Sequence, residues 1–140
     1  MASVFFDLDD TIVDHSLAVS KGIAALYEKE RSRLSCSPEE FCSLWHNASE
    51  QTMAEFAQGL LSFEEQRLKR VRTVFGATLS DSEARPIFEY FLKHYERSFS
   101  LFNDVLSTLA HLSRTHELGI ISNGNGKQQR LKLSSTKIDH

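Results

Sequence analysis

The seven residues Phe5 to Thr11 read FFDLDDT: three carboxylates, Asp7, Asp9 and Asp10, follow an apolar run and are followed by the hydroxyl of Thr11. An ionised carboxylate at a strand end is costly to desolvate unless something compensates it. Mg²⁺ would serve, because it takes oxygen ligands and is commonly held by one or two carboxylates plus substrate phosphate. In an extended segment, side chains two residues apart point the same way, so Asp7 and Asp9 can address one substrate from one side. Two carboxylates in different surroundings can also divide the work, one staying ionised as nucleophile and one taking up a proton as acid. The plainer reading is a strand-end turn in which an Asp or Thr caps the next helix.

A second stretch has related features. Leu118 to Ser122 is apolar and runs into the polar, glycine-rich segment Ser122-Asn123-Gly124-Asn125-Gly126. Glycine-rich backbone leading into a helix N-terminus suits an anion. In an α/β sheet the ligand crevice lies beyond the carboxyl ends of the strands, which is where Asp7 and Ser122 fall if the two strands run parallel. Alone, Ser122-Asn123-Gly124 is as good a plain turn as a phosphate cradle.

The elements that must position these residues are legible from periodicity. Ser3 to Asp9 and Leu118 to Ser122 read as short strands covered on both faces. Between them almost everything reads as helix. Leu17 to Arg31 carries Leu17, Ile23, Ala24 and Tyr27 as an imperfect apolar stripe. Ser37-Pro38-Glu39-Glu40, Ser62-Phe63-Glu64-Glu65 and Ser80-Asp81-Ser82-Glu83 are three helix starts of one design, a capping serine with a glutamate three residues on. They lead to the faces Phe41, Leu44, Trp45, Ala48, then Leu68, Val71, Val74, Phe75, then Ile87, Phe88, Phe91, Leu92, Tyr95. Gly76 stops the second, and Pro86 is placed in the first turn of the third. A helix near Asn103 to Arg114 and one from about Gly126 to Ser134 complete the order. The fold class expected is α/β, with residues 1–14 and 99–140 forming parts of one parallel-stranded core and residues 15–98 an inserted all-helical domain.

Composition narrows the field. With 41% hydrophobic and 25% charged residues the chain is an ordinary globular sequence, and a net charge of −3 gives no footprint for nucleic acid. No signal peptide or membrane-spanning run is visible, so a soluble, cytoplasmic protein with no membrane partner is expected. Cys36 and Cys42 read as reduced, half-buried helix residues. His15, His46, His94, His111, His116 and His140 lack metal-ligand spacing and are taken as structural or exposed. Arg67, Arg70 and Arg72 are read as a solvated helix face.

Asp7-Leu8-Asp9-Asp10-Thr11 after an apolar strand resembles motif one of the haloacid dehalogenase (HAD) superfamily. Ile120-Ile121-Ser122-Asn123-Gly124 resembles its motif two, and the helical insertion resembles the superfamily's alpha-helical type-1 cap. The resemblance implies a Rossmannoid core and a Mg²⁺-dependent phosphatase acting on a small soluble phosphate ester, a nucleotide or sugar phosphate. Asp7 would be the nucleophile, forming an aspartyl-phosphate and ligating Mg²⁺. Asp9 would protonate the leaving oxygen and then activate water, with its backbone carbonyl also facing the metal. Ser122, with the amides around Asn123 and Gly124, would hold the phosphoryl group, and Thr11 would lend its hydroxyl there while shaping the loop with Asp10. Asp14 and His15, where core gives way to cap, would serve as hinge or specificity residues. Dehalogenases of the superfamily lack an aspartate at the position of Asp9, since a halide leaves without protonation, so dehalogenation is disfavoured.

The superfamily's third and fourth motifs, a lysine or arginine and one or two acidic metal ligands, are not recognisable. Lys127, Lys132 and Lys137 follow no strand in the expected setting, and Asp139 has no motif-like surroundings. Two strands also fall short of the roughly four to six of an ordinary open sheet. The chain therefore reads as the front part of a longer enzyme. The alternative is a catalytically silent module acting in binding or as a homodimer joined through exposed sheet edges.

Overall fold

The computed structural model describes residues 1–140, in the order β1 (Ala2–Phe6), α1 (His15–Glu30), a 3₁₀ turn (Arg31–Arg33), α2 (Pro38–Ala57), α3 (Phe63–Phe75), α4 (Asp81–Arg97), α5 (Val105–Leu112), β2 (His116–Ile120) and α6 (Gly126–Ser135). The chain divides into two compact units, Met1–Val19 with Glu96–His140, and Ser20–Tyr95. No helix is long and apolar enough to cross a membrane.

In the first unit β1 and β2 pair in parallel, from Ala2 opposite His116 to Phe6 opposite Ile120. The Ile121 amide continues the ladder to the Phe6 carbonyl at 2.9 Å. Gly119 is required by close approach, since a Cβ there would lie 2.7 Å from the Phe5 ring. β1 is shorter than the run Ser3 to Asp9 and β2 lies two residues earlier than Leu118 to Ser122, so Asp7, Asp9 and Ser122 all lie beyond the strands. Nor are the strands covered on both faces: Phe5 is 61% and Ile120 36% exposed. Parallel strands gain two-sided cover from crossover helices and further strands, and two strands here leave one side of the pleat open. An apolar cleft of about 460 Å³ lies beside them, lined by Phe6, Leu106, Leu109, Leu118, Ile120 and Ile138. The unit's core is Leu8, Ile12, Val13 and Val105, with Phe6, Leu101, Phe102 and Leu133 packed around it.

The second unit is helical and its three serine caps form as the sequence indicates. Ser37 and Ser62 each accept the amide three residues on, and Glu40 and Glu65 return a carboxylate to the cap amide. Ser80 and Glu83 make the same reciprocal pair. Pro86 sits deeper in α4 than the first turn; it is exposed, so water can satisfy the carbonyl it cannot serve. Trp45, fully buried, packs against Phe91 at 4.8 Å and Phe88 and Phe41 at 6.2 Å between ring centroids. The buried stripe of α1 is Ile23, Leu26 and Tyr27; Ala24 is exposed and Leu17 is 40% exposed. Cys36 and Cys42 are free and half-buried, though Cys36 precedes α2.

The arginines of α3 are not a uniform solvated face. Arg72 pairs with Asp81, and Arg67 lies over the rings of Phe63 and Phe88. Arg70 is only 7% exposed, donates to Gln66 Oε1 at 2.7 Å and lies over Phe88 and Trp45. Burial, with repulsion from Arg67, pushes its pKa down to about 10.

Two stability predictions follow from these contacts. A Cβ on Gly22 would fall 2.8 Å from the Phe91 ring and 3.2 Å from its carbonyl oxygen. Gly22→Ala should therefore cost about 1–3 kcal/mol in denaturant unfolding, despite alanine's better helix propensity. The cap amides of Ser62 and Ser80 hold Glu65 and Glu83 below the ordinary glutamate pKa of 4.5. Because the folded value is the lower one, this stabilisation is complete above the unfolded pKa and fades as pH falls through the folded pKa. The Glu65→Gln/Glu83→Gln variant should lose less stability than the native chain between about pH 5 and pH 3; thermal melts across that range measure it.

Candidate active site

The turn after β1 is built on one carbonyl. Leu8 accepts the amides of Ile12 and Val13 at 3.0 Å each and of Thr11 at 3.4 Å, while the Asp10 amide reaches the Val13 carbonyl at 2.8 Å. Leu8, Ile12 and Val13 are buried, so the loop is anchored through its apolar residues and carries its polar ones outward. Asp10 takes a left-handed φ of 57°, a conformation that short polar residues tolerate.

The carboxylates meet different fates. Asp10 accepts the Ser16 amide at 2.8 Å and the Ser16 hydroxyl at 2.7 Å, and Asp14 accepts the Leu17 amide at 3.0 Å, so both cap α1. Partial burial works against the Asp10 carboxylate, but the bonds from Ser16 and the nearby His15 outweigh it and leave its pKa lowered. For Asp10 the plain cap reading is correct. Asp7 is exposed and uses one oxygen, Oδ1, to accept the Leu8 amide at 2.8 Å. Asp9 is held by α6. Its Oδ1 accepts Lys132 Nζ at 2.6 Å and its Oδ2 accepts Gln129 Nε2 at 3.2 Å. His15 Nδ1 lies 3.8 Å from Asp9 Oδ1.

Ser122 joins this cluster through α6. Its Oγ accepts Gln129 Nε2 at 2.5 Å and, more weakly, the Gly124 amide at 3.4 Å. Asn125 caps α6 by accepting the Gln128 amide at 3.2 Å, which sets Gln129 and Lys132 one turn apart on the helix. Gly124 is needed for this packing: a Cβ there would meet Gln129 Nε2 and Cδ well inside 3.0 Å. Asn123 is exposed at the bend, and Thr11 is exposed with its amide turned to Leu8. The structure therefore brings Asp9 and Ser122 together through a shared amide. Sequence reasoning did not single out Gln129, weighed Lys132 only as a third-motif lysine and set it aside, and read His15 as structural or as a hinge or specificity residue. The signal that could have found the first two is their i, i+3 spacing in a helix starting directly after the Ser122-Asn123-Gly124 bend.

No group of three or more Asp, Glu, His or Cys side chains is placed to enclose a metal. What the loop offers is oxygen: the second carboxylate oxygen of Asp7 and the Asp9 backbone carbonyl, neither taken up by the loop's hydrogen bonds. Such a donor set fits Mg²⁺, which keeps several waters and needs few protein ligands. The Asp9 carboxylate, engaged with α6, is not part of that set.

The Asp9–Lys132 pair is asymmetric, with the lysine side chain 2% and the aspartate 32% exposed. Removing the carboxylate takes an opposite charge from a buried ammonium, whereas removing the ammonium leaves a carboxylate that water still reaches. Asp9→Asn should thus cost on the order of 3 kcal/mol and Lys132→Met distinctly less, with the double variant recovering much of the loss. Chemical denaturation of the three variants measures this.

The haloacid dehalogenase-like hydrolase family model matches residues 4–140. Among solved structures, the HAD-hydrolase YfnB from Bacillus subtilis, bound to magnesium, shares 17% identity at a TM-score of 0.79, with 99% of this chain and 60% of that one covered. The 2-haloacid dehalogenase from Pseudomonas syringae pv. Tomato DC3000 shares 25% identity at a TM-score of 0.59, covering 96% and 61%. The defluorinating L-2-haloacid dehalogenase Rha0230 shares 15% identity at a TM-score of 0.68, covering 99% and 58%. The chain thus spans about three-fifths of the length of these structures, and none of the curated proteins matches it. Because that family model matches nearly the whole chain, residues 4–140, the chain belongs to the haloacid dehalogenase-like hydrolase family.

Proposed function

We propose that the chain carries the nucleophile-bearing part of a Mg²⁺-dependent phosphatase acting on a small soluble phosphate ester, a nucleotide or sugar phosphate in class. The observation that supports this most is the Asp9 carboxylate, held beside Ser122 by one bridging amide, with Asp7 exposed two residues earlier. An Asp7 oxygen attacks phosphorus and the bond to the leaving oxygen breaks, the departing oxygen taking a proton that Asp9 has first received from solvent. Asp9 then takes a proton from water as the water oxygen attacks the phosphoryl group, and the bond to Asp7 breaks to release phosphate. Mg²⁺ bound by the Asp7 carboxylate and the Asp9 carbonyl would supply positive charge against the phosphoryl oxygens. Among the relatives described are dehalogenases, whose halide leaves without a proton; a fixed acid at Asp9 favours phosphate over a carbon–halogen bond.

One observation favours a second reading. Phe5 and Ile121 are exposed and an apolar cleft lined by Phe6, Leu118 and Ile120 is open, as a module that binds a partner or a second copy through its sheet would have them. Sedimentation decides: a monomer at micromolar concentration removes the homodimer.

The phosphatase reading predicts hydrolysis of p-nitrophenyl phosphate that requires Mg²⁺ and falls at least about a thousandfold in Asp7→Asn. Turnover that persists in that variant contradicts Asp7 as nucleophile.

A further inference from the structure

Gln129 is 7% exposed and spends both hydrogens of its side-chain amide on the site, one on Ser122 Oγ at 2.5 Å and one on Asp9 Oδ2 at 3.2 Å. Its own oxygen, Oε1, is buried without a hydrogen-bond partner. A buried orphan acceptor is unfavourable, and packing alone gives no reason to tolerate it. The reverse orientation of the amide would be worse, because it would set Oε1 against the Asp9 carboxylate. The amide is therefore oriented by what it donates to.

The consequence falls on Ser122. A serine hydroxyl has one hydrogen to give and two lone pairs to receive. Gln129 Nε2 fills one lone pair and the Gly124 amide, at 3.4 Å, approaches the other. Anything further that Ser122 binds must therefore accept its hydrogen, which suits a phosphoryl oxygen and not a cation or a donor. The second hydrogen on the same nitrogen joins Lys132, also buried at 1% exposure, in holding the Asp9 carboxylate, so that each oxygen has one donor.

We propose that Gln129 is a positioning residue: it sets the Ser122 hydroxyl as an outward donor to an oxyanion and, with Lys132, fixes the plane of the Asp9 carboxylate. The role rests on the phosphoryl-site reading above. It acts through Ser122 and Asp9 without requiring that Gln129 touch the substrate.

Inorganic phosphate is the probe. Its affinity for the 140-residue chain at fixed Mg²⁺ is measured by calorimetry for the native sequence, Gln129→Met, Ser122→Ala and the double variant, each checked for native fold by circular dichroism. Gln129→Met and Ser122→Ala should each weaken binding by roughly five- to tenfold, and the double variant no more than the worse single one, because both remove the same hydrogen bond to phosphate. A purely structural glutamine would instead give independent, multiplying losses. Should Gln129→Met not fold, Gln129→Glu keeps the side chain's length, replaces the donor by an acceptor and should weaken phosphate at least as much. Multiplying losses, or unchanged affinity in folded Gln129 variants, overturn the proposal alone; a native chain that binds no phosphate overturns the site reading and the proposal together.

Discussion

A lysine ammonium buried against one aspartate organises this molecule's functional end. The Lys132 side chain is 2% exposed and its Nζ lies 2.6 Å from Asp9 Oδ1, across 123 positions of sequence. A charge taken so far out of water must be met by an opposite charge or a dense set of acceptors, or it destabilises the fold. The helix carrying Lys132 is thereby bound to the turn carrying Asp9. Asn125 as cap and Gly124 as the residue without a Cβ are what let α6 start at the right place and lie close enough.

That constraint sorts the acidic cluster. Asp10 and Asp14 spend their carboxylates on the first turn of α1, where amides without helical partners attract negative charge. Asp9 is committed to α6. Asp7, at an exposed position just past β1, accepts only the Leu8 amide and keeps its other oxygen without a protein donor. Three aspartates within four residues thus differ in what surrounds them, which is the condition for dividing nucleophile, acid and scaffold among chemically identical side chains. Which of them is left free follows from packing: Leu8, Ile12 and Val13 are drawn into the core and fix the path of the loop.

Much of this was readable in the sequence, and the rest was hidden for physical reasons. The serine–glutamate caps at Ser37, Ser62 and Ser80 announced their helices, because such caps are local and need no tertiary partner. The parallel pairing of the two apolar runs was foreseen, but the strand ends were set too late, since Asp7 to Asp9 turn away where the Leu8 carbonyl gathers amides. Arg70 looked like one of a solvated trio, yet it lies beneath Phe88 and Trp45, where neighbours on other helices decide burial. Gln129 and Lys132 escaped for a like reason. Their partners are over a hundred residues away, and nothing in a glutamine or a lysine on a polar helix signals such a contact.

The two-stranded sheet leaves Phe5 and Ile121 exposed, and the chain spans about three-fifths of the related structures. The central claim is that Asp7 attacks phosphorus. Acid quenching during exposure to acetyl phosphate and Mg²⁺, followed by peptide mass spectrometry, reads it directly. The account predicts a single acid-stable phosphoryl group on the Asp7 side chain. A modified peptide whose phosphoryl group sits on another residue, or an unmodified Asp7 under conditions of turnover, contradicts it.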